Sequence, residues 1–292
     1  MAAIALHAAQ RALPRYHHRF SPKKFTQHQL VACLVLKEFF RTDYRGIVAI
    51  LEDSSDLRQV LGITDVPHYT TLQKAARRLA EKKCLDRLLK SILDVAQEVH
   101  VLKKTVALSA IDSTGFDSRY TSSYFVQRKR SKQIPGHEKV HYHRFPKVGI
   151  VVDCTTHLVL SGVPSWGPGP DLWHWHDAIR ETLKRVRLKM LTADAGYDSE
   201  AAHRFAREEY GIRTIIRNRV GRPTNKLPSG KYRRLMATRF NKKLYGQRWQ
   251  VETVNSILKR RLGSFLRARS YWAQMREMML RLFTYDVMVV HA

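Results

Sequence analysis

Apolar residues recur at helical spacing through the first hundred residues of the chain. The segment 28–40 is apolar along most of its length and predicts a buried helix. The segment 45–63 predicts two shorter helices, because a pair of serines interrupts its apolar pattern. Another helix is expected over 84–100. Residues 1–100 are therefore predicted to form an all-α N-terminal domain.

The segment 67–84 predicts one more helix in this part, capped by Thr70 or Thr71. Its apolar residues between Leu72 and Leu79 form one stripe. Short helices of which one is basic and capped are typical of a helix-turn-helix DNA-binding module. The alternative is an ordinary helical domain with a solvated basic face. The basic side of this helix, a predicted DNA contact, carries Lys74, Arg77 and Arg78.

Beyond residue 100 the apolar pattern changes to the alternation of β-strands. The segment 105–112 predicts a strand that ends at Asp112, and 147–164 predicts a hairpin. A strand from 188 should end at Asp194, before a glycine turn. Helices at 171–186 and 199–211, a strand at 212–220 and two C-terminal helices complete the order. Residues 101–292 are thus predicted to be an α/β domain, with a mixed sheet flanked by helices.

The net charge of the chain is the first indication of its function. The 292 residues include 52 Lys and Arg against 25 Asp and Glu, a net charge of +27. Residues 1–100 contribute 16 basic and 10 acidic side chains, and residues 101–292 contribute 36 and 15. Such an excess favours a polyanionic partner, and nucleic acid is the most common one. The alternative is a generically basic surface.

The cysteines and the apolar segments indicate the cellular compartment in which the protein works. The three cysteines are far apart and odd in number, which disfavours a disulfide framework and a cysteine-based zinc site. No apolar run approaches the roughly 20 residues that span a bilayer, and the N-terminus does not resemble a secretory signal. A cytoplasmic protein with no membrane partner is expected.

Two aspartates stand where strands are predicted to end, at Asp112 and Asp194. Strand ends in open α/β sheets are common places for active sites. A strand-end aspartate can equally be a turn or helix cap that binds nearby backbone amides. Two of them in one basic domain favour the functional interpretation.

A third carboxylate, Glu252, is isolated in sequence. From Tyr210 to Val251 there are twelve Arg and Lys residues and no acid. On a helical wheel of about 100° per residue, Glu252 lies within about 60° of Tyr245, Arg248 and Lys259. A surface ion pair would explain why Arg248 and Glu252 are four residues apart. It would not explain why Glu252 is the only acid in this basic stretch. A carboxylate that binds a metal beside a phosphate would explain it.

The spacing from Tyr245 through Arg248 and Glu252 to Lys259 resembles the tyrosine–arginine–glutamate–lysine signature of prokaryotic insertion-sequence DDE transposases. The sequences AIDSTGF around Asp112 and TADAGYDS around Asp194 look like the first and second aspartate motifs of that family. The basic RNRVGRP that follows resembles the basic strand and loop of the family, which places Arg217, Arg219 and Arg222 as DNA contacts.

The resemblance implies a ribonuclease-H-like catalytic domain that binds, cleaves and joins DNA. Asp112, Asp194 and Glu252 would be the catalytic residues and would hold two Mg²⁺ ions, with Mn²⁺ as a substitute. Water and then a DNA 3′-hydroxyl would attack a phosphodiester. Double-stranded DNA would be the partner, gripped by Tyr245, Arg248 and Lys259. A homodimer is expected in the DNA complex.

The roles of several other side chains have more than one interpretation from the sequence alone. His137, His141 and His143 fit DNA contact or plain surface better than zinc, since no cysteine accompanies them. The basic run 128–130 could touch DNA or be solvated. Trp166 and Trp249 could stack on a base, although a large aromatic is more often part of the core.

Two alternative functions remain at this point. One is a DNA-binding regulator or a silent transposase remnant, which would bind DNA without cleaving it. The other is a related ribonuclease-H-like nuclease, which would cut DNA without joining it.

Overall fold

The computed structural model describes residues 1–79, 82–118, 144–219 and 226–292. The described part of the first hundred residues is helical, which confirms the all-α prediction. Whether it is an independent domain stays a prediction. The helices are α1 (Ala2–Ala12), α2 (Gln27–Phe39), α3 (Tyr44–Asp53), α4 (Ser55–Leu61), α5 (Tyr69–Arg78) and α6 (Lys82–Glu98).

The boundaries of these helices follow from side-chain caps. Thr26 and Gln29 form a reciprocal capping box at the start of α2. The predicted break between α3 and α4 is confirmed, because Ser54 Oγ accepts a hydrogen bond from the amide of Leu57 at 3.3 Å. Gly62 then ends α4 in the left-handed region, at φ 62°.

The helix predicted over 67–84 is shorter than expected and has a different cap. It is α5, which ends at Arg78, and α6 begins at Lys82. The cap is His68, whose Nδ1 accepts from the amide of Thr70. The prediction of a threonine cap was therefore wrong. The imidazole of the residue directly before the helix fills the acceptor role that hydroxyl and carboxylate side chains usually take.

The main sheet has five strands in the order β5–β4–β2–β7–β8. Strand β4 is antiparallel to both of its neighbours, whereas β2, β7 and β8 are parallel to one another. This confirms a mixed sheet, and β4 with β5 is the predicted hairpin. The strands are β2 (Ser109–Gly115), β4 (Phe145–Asp153), β5 (Val159–Gly167), β7 (Met190–Ala193) and β8 (Arg213–Ile216).

Two short strand pairs accompany this sheet: β1 (Thr105–Val106) with β6 (Arg187–Leu188), and β3 (Asp117–Ser118) with β9 (Phe265–Leu266). One predicted strand end was wrong. The strand expected to stop at Asp112 continues to Gly115, because β4 pairs with it beyond the point where the parallel partner ends.

The helices after residue 170 cover the sheet. Asp171–His174 and Ala195–Tyr197 are 3₁₀ turns, and Phe205–Glu209 is a π turn. Ser199 occupies the N-cap position before α8 but its side chain makes no capping hydrogen bond in the described structure. No helix of the described part has the length and apolar character needed to cross a membrane. The helices are α7 (Trp175–Leu183), α8 (Glu200–Arg204), α9 (Lys231–Thr238), α10 (Lys242–Gly246), α11 (Trp249–Leu262) and α12 (Tyr271–His291).

Side chains alternate between two hydrophobic clusters on the two faces of the sheet. Ala110 lies in the cluster formed with α11, α12 and the N-terminal helices. Ile111 lies in the other cluster, with Trp175 and Phe205 of the opposite face. Asp112, one residue further, returns to the face of Ala110. The strand alternation therefore turns Asp112 toward α11.

A buried ion-pair network joins the N-terminal helices to α12. Arg281 lies 3.2 Å from Glu38 and 2.6 Å from Glu277, and Lys37 lies 2.5 Å from Glu38. Burial opposes ionisation of Glu38, but the charges of Lys37 and Arg281 outweigh it and hold its pKa below the usual value. All four side chains are less than a tenth exposed. Loss of one charge would leave another buried without its partner.

We expect Arg281→Met to lower the free energy of unfolding by about 3–5 kcal/mol, because Glu38 and Glu277 would stay buried without this partner. Urea unfolding followed by circular dichroism measures the change. Arg204→Met is the matched control, since Arg204 is 65% exposed and pairs with Glu208 at the surface. The control should lose less than about 1 kcal/mol. Similar losses in both variants would contradict the role of the network.

Candidate active site

Asp112 and Asp194 lie side by side in the sheet. Parallel strands β2 and β7 pair Ser109 with Leu191, Ala110 with Thr192 and Ile111 with Ala193. The next residue on each strand is an aspartate. Asp194 immediately follows β7, as predicted, and its carboxylate accepts from the amide of Gly196 at 2.9 Å. The register of one strand pair therefore brings two distant aspartates together.

Asp112 is the electrostatically strained member of this pair. Burial, together with the negative charges of Asp194 and Asp171, raises the pKa of its carboxyl to about 6. The backbone amide of Ser113 and the charge of Arg248 act in the opposite direction. A positive charge placed between Asp112 and Asp194 would relieve this repulsion.

Asp171 is a third acidic neighbour that the sequence reasoning missed. It opens the 3₁₀ turn after β5, where Ser113 Oγ donates to its Oδ1. Lys147 lies 2.5 Å from the same oxygen and also donates to the carbonyl of Gly169 at 2.8 Å. The available signal was the Gly-Pro-Gly-Pro run before Asp171, which marks a turn at the end of a strand.

Tyr197 is buried close to these three carboxylates. Its side chain is fully buried, and its hydroxyl has no hydrogen-bond partner among the described residues. Burial, followed by the negative charges of Asp171, Asp112 and Asp194, raises its pKa far above the ordinary value. The hydroxyl therefore stays neutral and keeps a proton to donate.

Helix α11 reaches Asp112 through Asn255, another residue that the sequence reasoning missed. Asn255 Nδ2 donates to Asp112 Oδ2 at 3.1 Å, and the buried Oδ1 of the same amide has no partner in the described structure. Asn255 lies about one turn after Glu252 on α11. The contact therefore fixes Glu252 on the segment of helix that adjoins the aspartates.

Glu252 itself binds Arg248 in this structure. Its carboxylate is 53% exposed and lies 2.6 Å from the Arg248 guanidinium. Within the described residues, no three His, Cys, Asp or Glu side chains are grouped closely enough to hold a metal ion. The structure thus brings Asp112 and Asp194 together, while Glu252 lies on the adjoining helix and points to an arginine.

The predicted polar face of α11 is only partly continuous. The opposite side faces the core, where Val251, Val254, Leu258 and Leu262 are buried and Ile257 is half-buried. Tyr245, however, belongs to α10, so treating it as part of one uniform helix was wrong.

Between α10 and α11 the backbone is overwound. The amide of Arg248 donates to the carbonyl of Tyr245, and Val251 donates to Arg248, so these bonds span three residues instead of four. Three residues per turn places Arg248 directly over Tyr245, and its guanidinium lies 6.0 Å from the ring centroid. Lys259 is half-buried further along α11.

The other predicted DNA contacts lie on separate surfaces. Lys74, Arg77 and Arg78 are exposed on α5, while Arg217 and Arg219 are exposed after β8. Arg222, the basic run 128–130 and the three histidines at 137, 141 and 143 lie outside the described residues.

The two tryptophans differ in their surroundings. Trp249 is 53% exposed, so the core interpretation was wrong for this residue. Trp166 is half-buried and stacks on Tyr271, with 5.1 Å between the ring centroids.

Sequence comparison decides the family. A family model described as "Transposase DDE domain" matches residues 107–287, more than half of the chain. The chain belongs to this family. The matched part of this DDE-domain chain includes all three predicted carboxylates and Arg248. No curated protein sequence is significantly similar to the chain.

Solved transposase structures are similar to this DDE-domain chain at a low level. A cryo-EM structure of a piggyBac transposase synaptic complex with hairpin DNA has a TM-score of 0.47 and 10% identity, and covers 99% of this chain and 71% of that one. A crystal structure of a pre-cleavage Mos1 transpososome has a TM-score of 0.23 and 9% identity, and covers 96% and 82%. The strand order itself, with β4 antiparallel to both neighbours, is the ribonuclease-H-like arrangement that was expected.

Asp112→Asn should stabilise this DDE-domain chain at pH 7.5 without added metal. The folded-state pKa of about 6 exceeds the ordinary 3.8, so the stability from protonated Asp112 is complete below about pH 4 and is lost as pH rises through 6. An uncharged asparagine avoids this loss, which is of the order of 1–3 kcal/mol. Urea unfolding from pH 4 to 7.5 measures the difference between variant and wild type.

The matched control for this experiment is Asp65→Asn, because Asp65 is 63% exposed. It should not change the dependence of stability on pH by more than about 0.5 kcal/mol. A gap between wild type and Asp112→Asn that does not widen from pH 4 to pH 7.5 would contradict the assigned environment of Asp112.

Proposed function

We propose that this protein is a DNA transposase that cleaves the ends of an insertion sequence and joins them to target DNA, using divalent metal ions. The observation that carries the proposal is the pair of aspartates set side by side by β2 and β7, with α11 bonded to one of them. A basic helix face beside paired carboxylates suits a phosphodiester, because the cations would bind its phosphate and the carboxylates would hold the metal that activates the attacking hydroxyl. The family membership of the chain supports the same reaction class.

The residues present fit a divalent cation of the magnesium type. The donors at the site are carboxylate and amide oxygens, which Mg²⁺ and Mn²⁺ prefer. The repulsion around Asp112 and the unpartnered Oδ1 of Asn255 are further reasons to expect a cation. Asp112, Asp194 and Glu252 would hold two ions. When bound, Mg²⁺ or Mn²⁺ would activate the attacking hydroxyl and stabilise the leaving oxygen.

Arg248 would exchange partners when DNA binds. In the free protein it pairs with Glu252 at 2.6 Å. A DNA phosphate is a stronger bidentate partner for a guanidinium than one exposed carboxylate is. Transfer of Arg248 to a phosphate would release Glu252 toward Asp112 and Asp194. The site would then be complete only when DNA is present.

The remaining partners follow from this reaction. Tyr245 and Lys259 would hold phosphates near the cleaved end, on either side of Arg248 along the chain. The N-terminal helices would bind the transposon end, and two copies of the chain would pair two ends in a homodimer. The protein would work in the cytoplasm, on the bacterial chromosome. Further DNA contacts are proposed at Lys74, Arg77, Arg78, Arg217, Arg219 and Arg222.

Substitution of each carboxylate tests the catalytic proposal. With Mg²⁺ and DNA duplexes from the regions that flank the gene, Asp112→Asn, Asp194→Asn and Glu252→Gln should each reduce cleavage by roughly a hundredfold or more. Their affinity for DNA should stay within a few-fold of wild type. Glu208→Gln, which changes an exposed carboxylate away from the site, is the control and should cleave normally. Normal cleavage by any of the three site variants would exclude the assigned triad.

The same assay separates the alternative functions. Analysis of products on denaturing gels distinguishes cut ends from ends joined to target DNA. Cutting without joining would indicate a nuclease. Binding without cutting would indicate a regulator or a silent remnant.

Arg248→Gln tests the proposed exchange of partners. Without DNA, this variant should bind Mn²⁺ about two- to fivefold more tightly, because Glu252 no longer pairs with a cation worth about 0.3–1 kcal/mol. Isothermal titration calorimetry measures the affinity. Addition of Glu252→Gln to Arg248→Gln should abolish the gain. Unchanged Mn²⁺ affinity in the single variant would contradict the exchange.

A further inference from the structure

A cleft of about 620 Å³ lies between the N-terminal helices and the start of α12. Helices α2, α3 and α5 form one wall, and the segment 267–280 forms the other. None of Asp112, Asp194 and Glu252 lines it. The cleft is therefore separate from the candidate active site.

Five cations and three carboxylates line the cleft, and the carboxylates already have partners. Glu38 and Glu277 bind Arg281 within the buried network. Glu277 also accepts from the amides of Arg267 and Ala268 at 3.1 and 2.9 Å. Asp43 caps α3 by accepting from two backbone amides. The acids of the cleft are thus engaged within the protein, and the lining keeps an excess of positive charge.

Arg77 and Arg276 provide much of this excess. Arg77 comes from α5 and Arg276 from α12, and both line the cleft. Neither guanidinium makes a hydrogen bond or ion pair within the described part of the chain. Burial lowers the pKa of Arg276, Tyr44 acts in the opposite direction, and the positive charge of Arg77 lowers it further. Two guanidiniums that repel each other across a cleft are the arrangement that an anion between them would stabilise.

The surroundings extend this positive region. Arg77 belongs to the exposed face of α5 that also carries Lys74 and Arg78. Ser270 and Ala273, at the first turn of α12, line the cleft, and that turn contains no acidic residue. The positive end of the helix dipole adds to the field of the arginines.

We propose that this cleft binds the phosphodiester backbone of DNA, with Arg77 and Arg276 holding one phosphate between the N-terminal helices and the α/β part. The inference rests on the proposed function as a DNA-acting enzyme and adds a second grip, separate from Arg248.

The basic face of α5 continues beyond the cleft, which favours a continuous polyanion over a small free anion. A duplex that follows Lys74 and Arg78 would enter the cleft at Arg77. One phosphate would then touch an arginine from each half of the chain. DNA bound there would fix the N-terminal helices relative to the sheet.

The salt dependence of DNA binding tests this inference. Affinity for a fluorescent duplex of about 30 base pairs is measured by anisotropy at several salt concentrations. The double variant Arg77→Gln/Arg276→Gln should reduce the slope of log affinity against log salt by about one, the value for one lost phosphate contact. At about 100 mM salt its affinity should fall roughly tenfold.

Two control variants separate charge from folding. Arg276→Lys keeps the charge in the cleft and should retain most of the wild-type slope. Arg204→Gln removes an exposed arginine elsewhere and should leave slope and affinity unchanged. All variants should keep the wild-type melting temperature within a few degrees. A wild-type slope in the folded double variant would overturn the proposal.

Inorganic phosphate distinguishes the source of the anion. If phosphate raises the melting temperature of wild type but not of the double variant, and DNA binding is equal in both, the cleft is a small-anion site and the proposal is wrong. The cleavage assay with the wild-type protein separates this inference from the proposed function. A reduced slope with no cleavage by wild-type protein would overturn only the function, whereas an unchanged slope with normal cleavage would overturn only the cleft.

Discussion

The parallel pairing of β2 with β7 is the constraint on which the site depends. Its register sets Asp112 beside Asp194, although the two are far apart in sequence. The alternation of β2 then turns Asp112 toward α11, where Asn255 meets it. A slip of one residue would turn Asp112 to the opposite face, among Trp175 and its neighbours. The backbone hydrogen bonds of the sheet thus fix the geometry before any ligand binds.

This geometry makes the free protein less stable than its packing alone would allow. Burial and neighbouring acids raise the pKa of Asp112 to about 6, so the ionised form at neutral pH is unfavourable. Such strain is typical of active sites, where charges are placed for a ligand that is yet to bind. The pairing of Glu252 with Arg248 limits the strain, because it keeps a further carboxylate away from the aspartates. Bound DNA would supply a phosphate as the partner of Arg248. Glu252 would then be free to complete the metal site with Asp112 and Asp194.

The buried network around Arg281 complements this arrangement. It connects α2 with α12, with the carbonyl of Gly263 directly after α11, and with the carbonyl of Phe265 in β9. The helix that carries Glu252 is therefore attached at its end to the N-terminal helices. DNA held in the cleft beside this network would be linked mechanically to the helix at the active site.

Much of this could be predicted from the sequence, for local reasons. Strand alternation and the glycine turn located Asp194, and the helical wheel placed Glu252 on the same side as Arg248. The residues that were missed meet Asp112 only through tertiary structure. Asp171 and Asn255 are ordinary polar residues in sequence, and their roles arise from strand register and helix docking. The overwound turn before α11 has only a weak sequence signal, Gly246, because a single glycine within a helical pattern is tolerated.

The most direct test of the account is a crystal structure with a transposon-end duplex and Mn²⁺, in which anomalous scattering locates the metal. The account predicts Mn²⁺ in contact with Asp112, Asp194 and Glu252, and Arg248 bound to a DNA phosphate. Mn²⁺ bound elsewhere, or Glu252 still paired with Arg248 in the DNA complex, would contradict it.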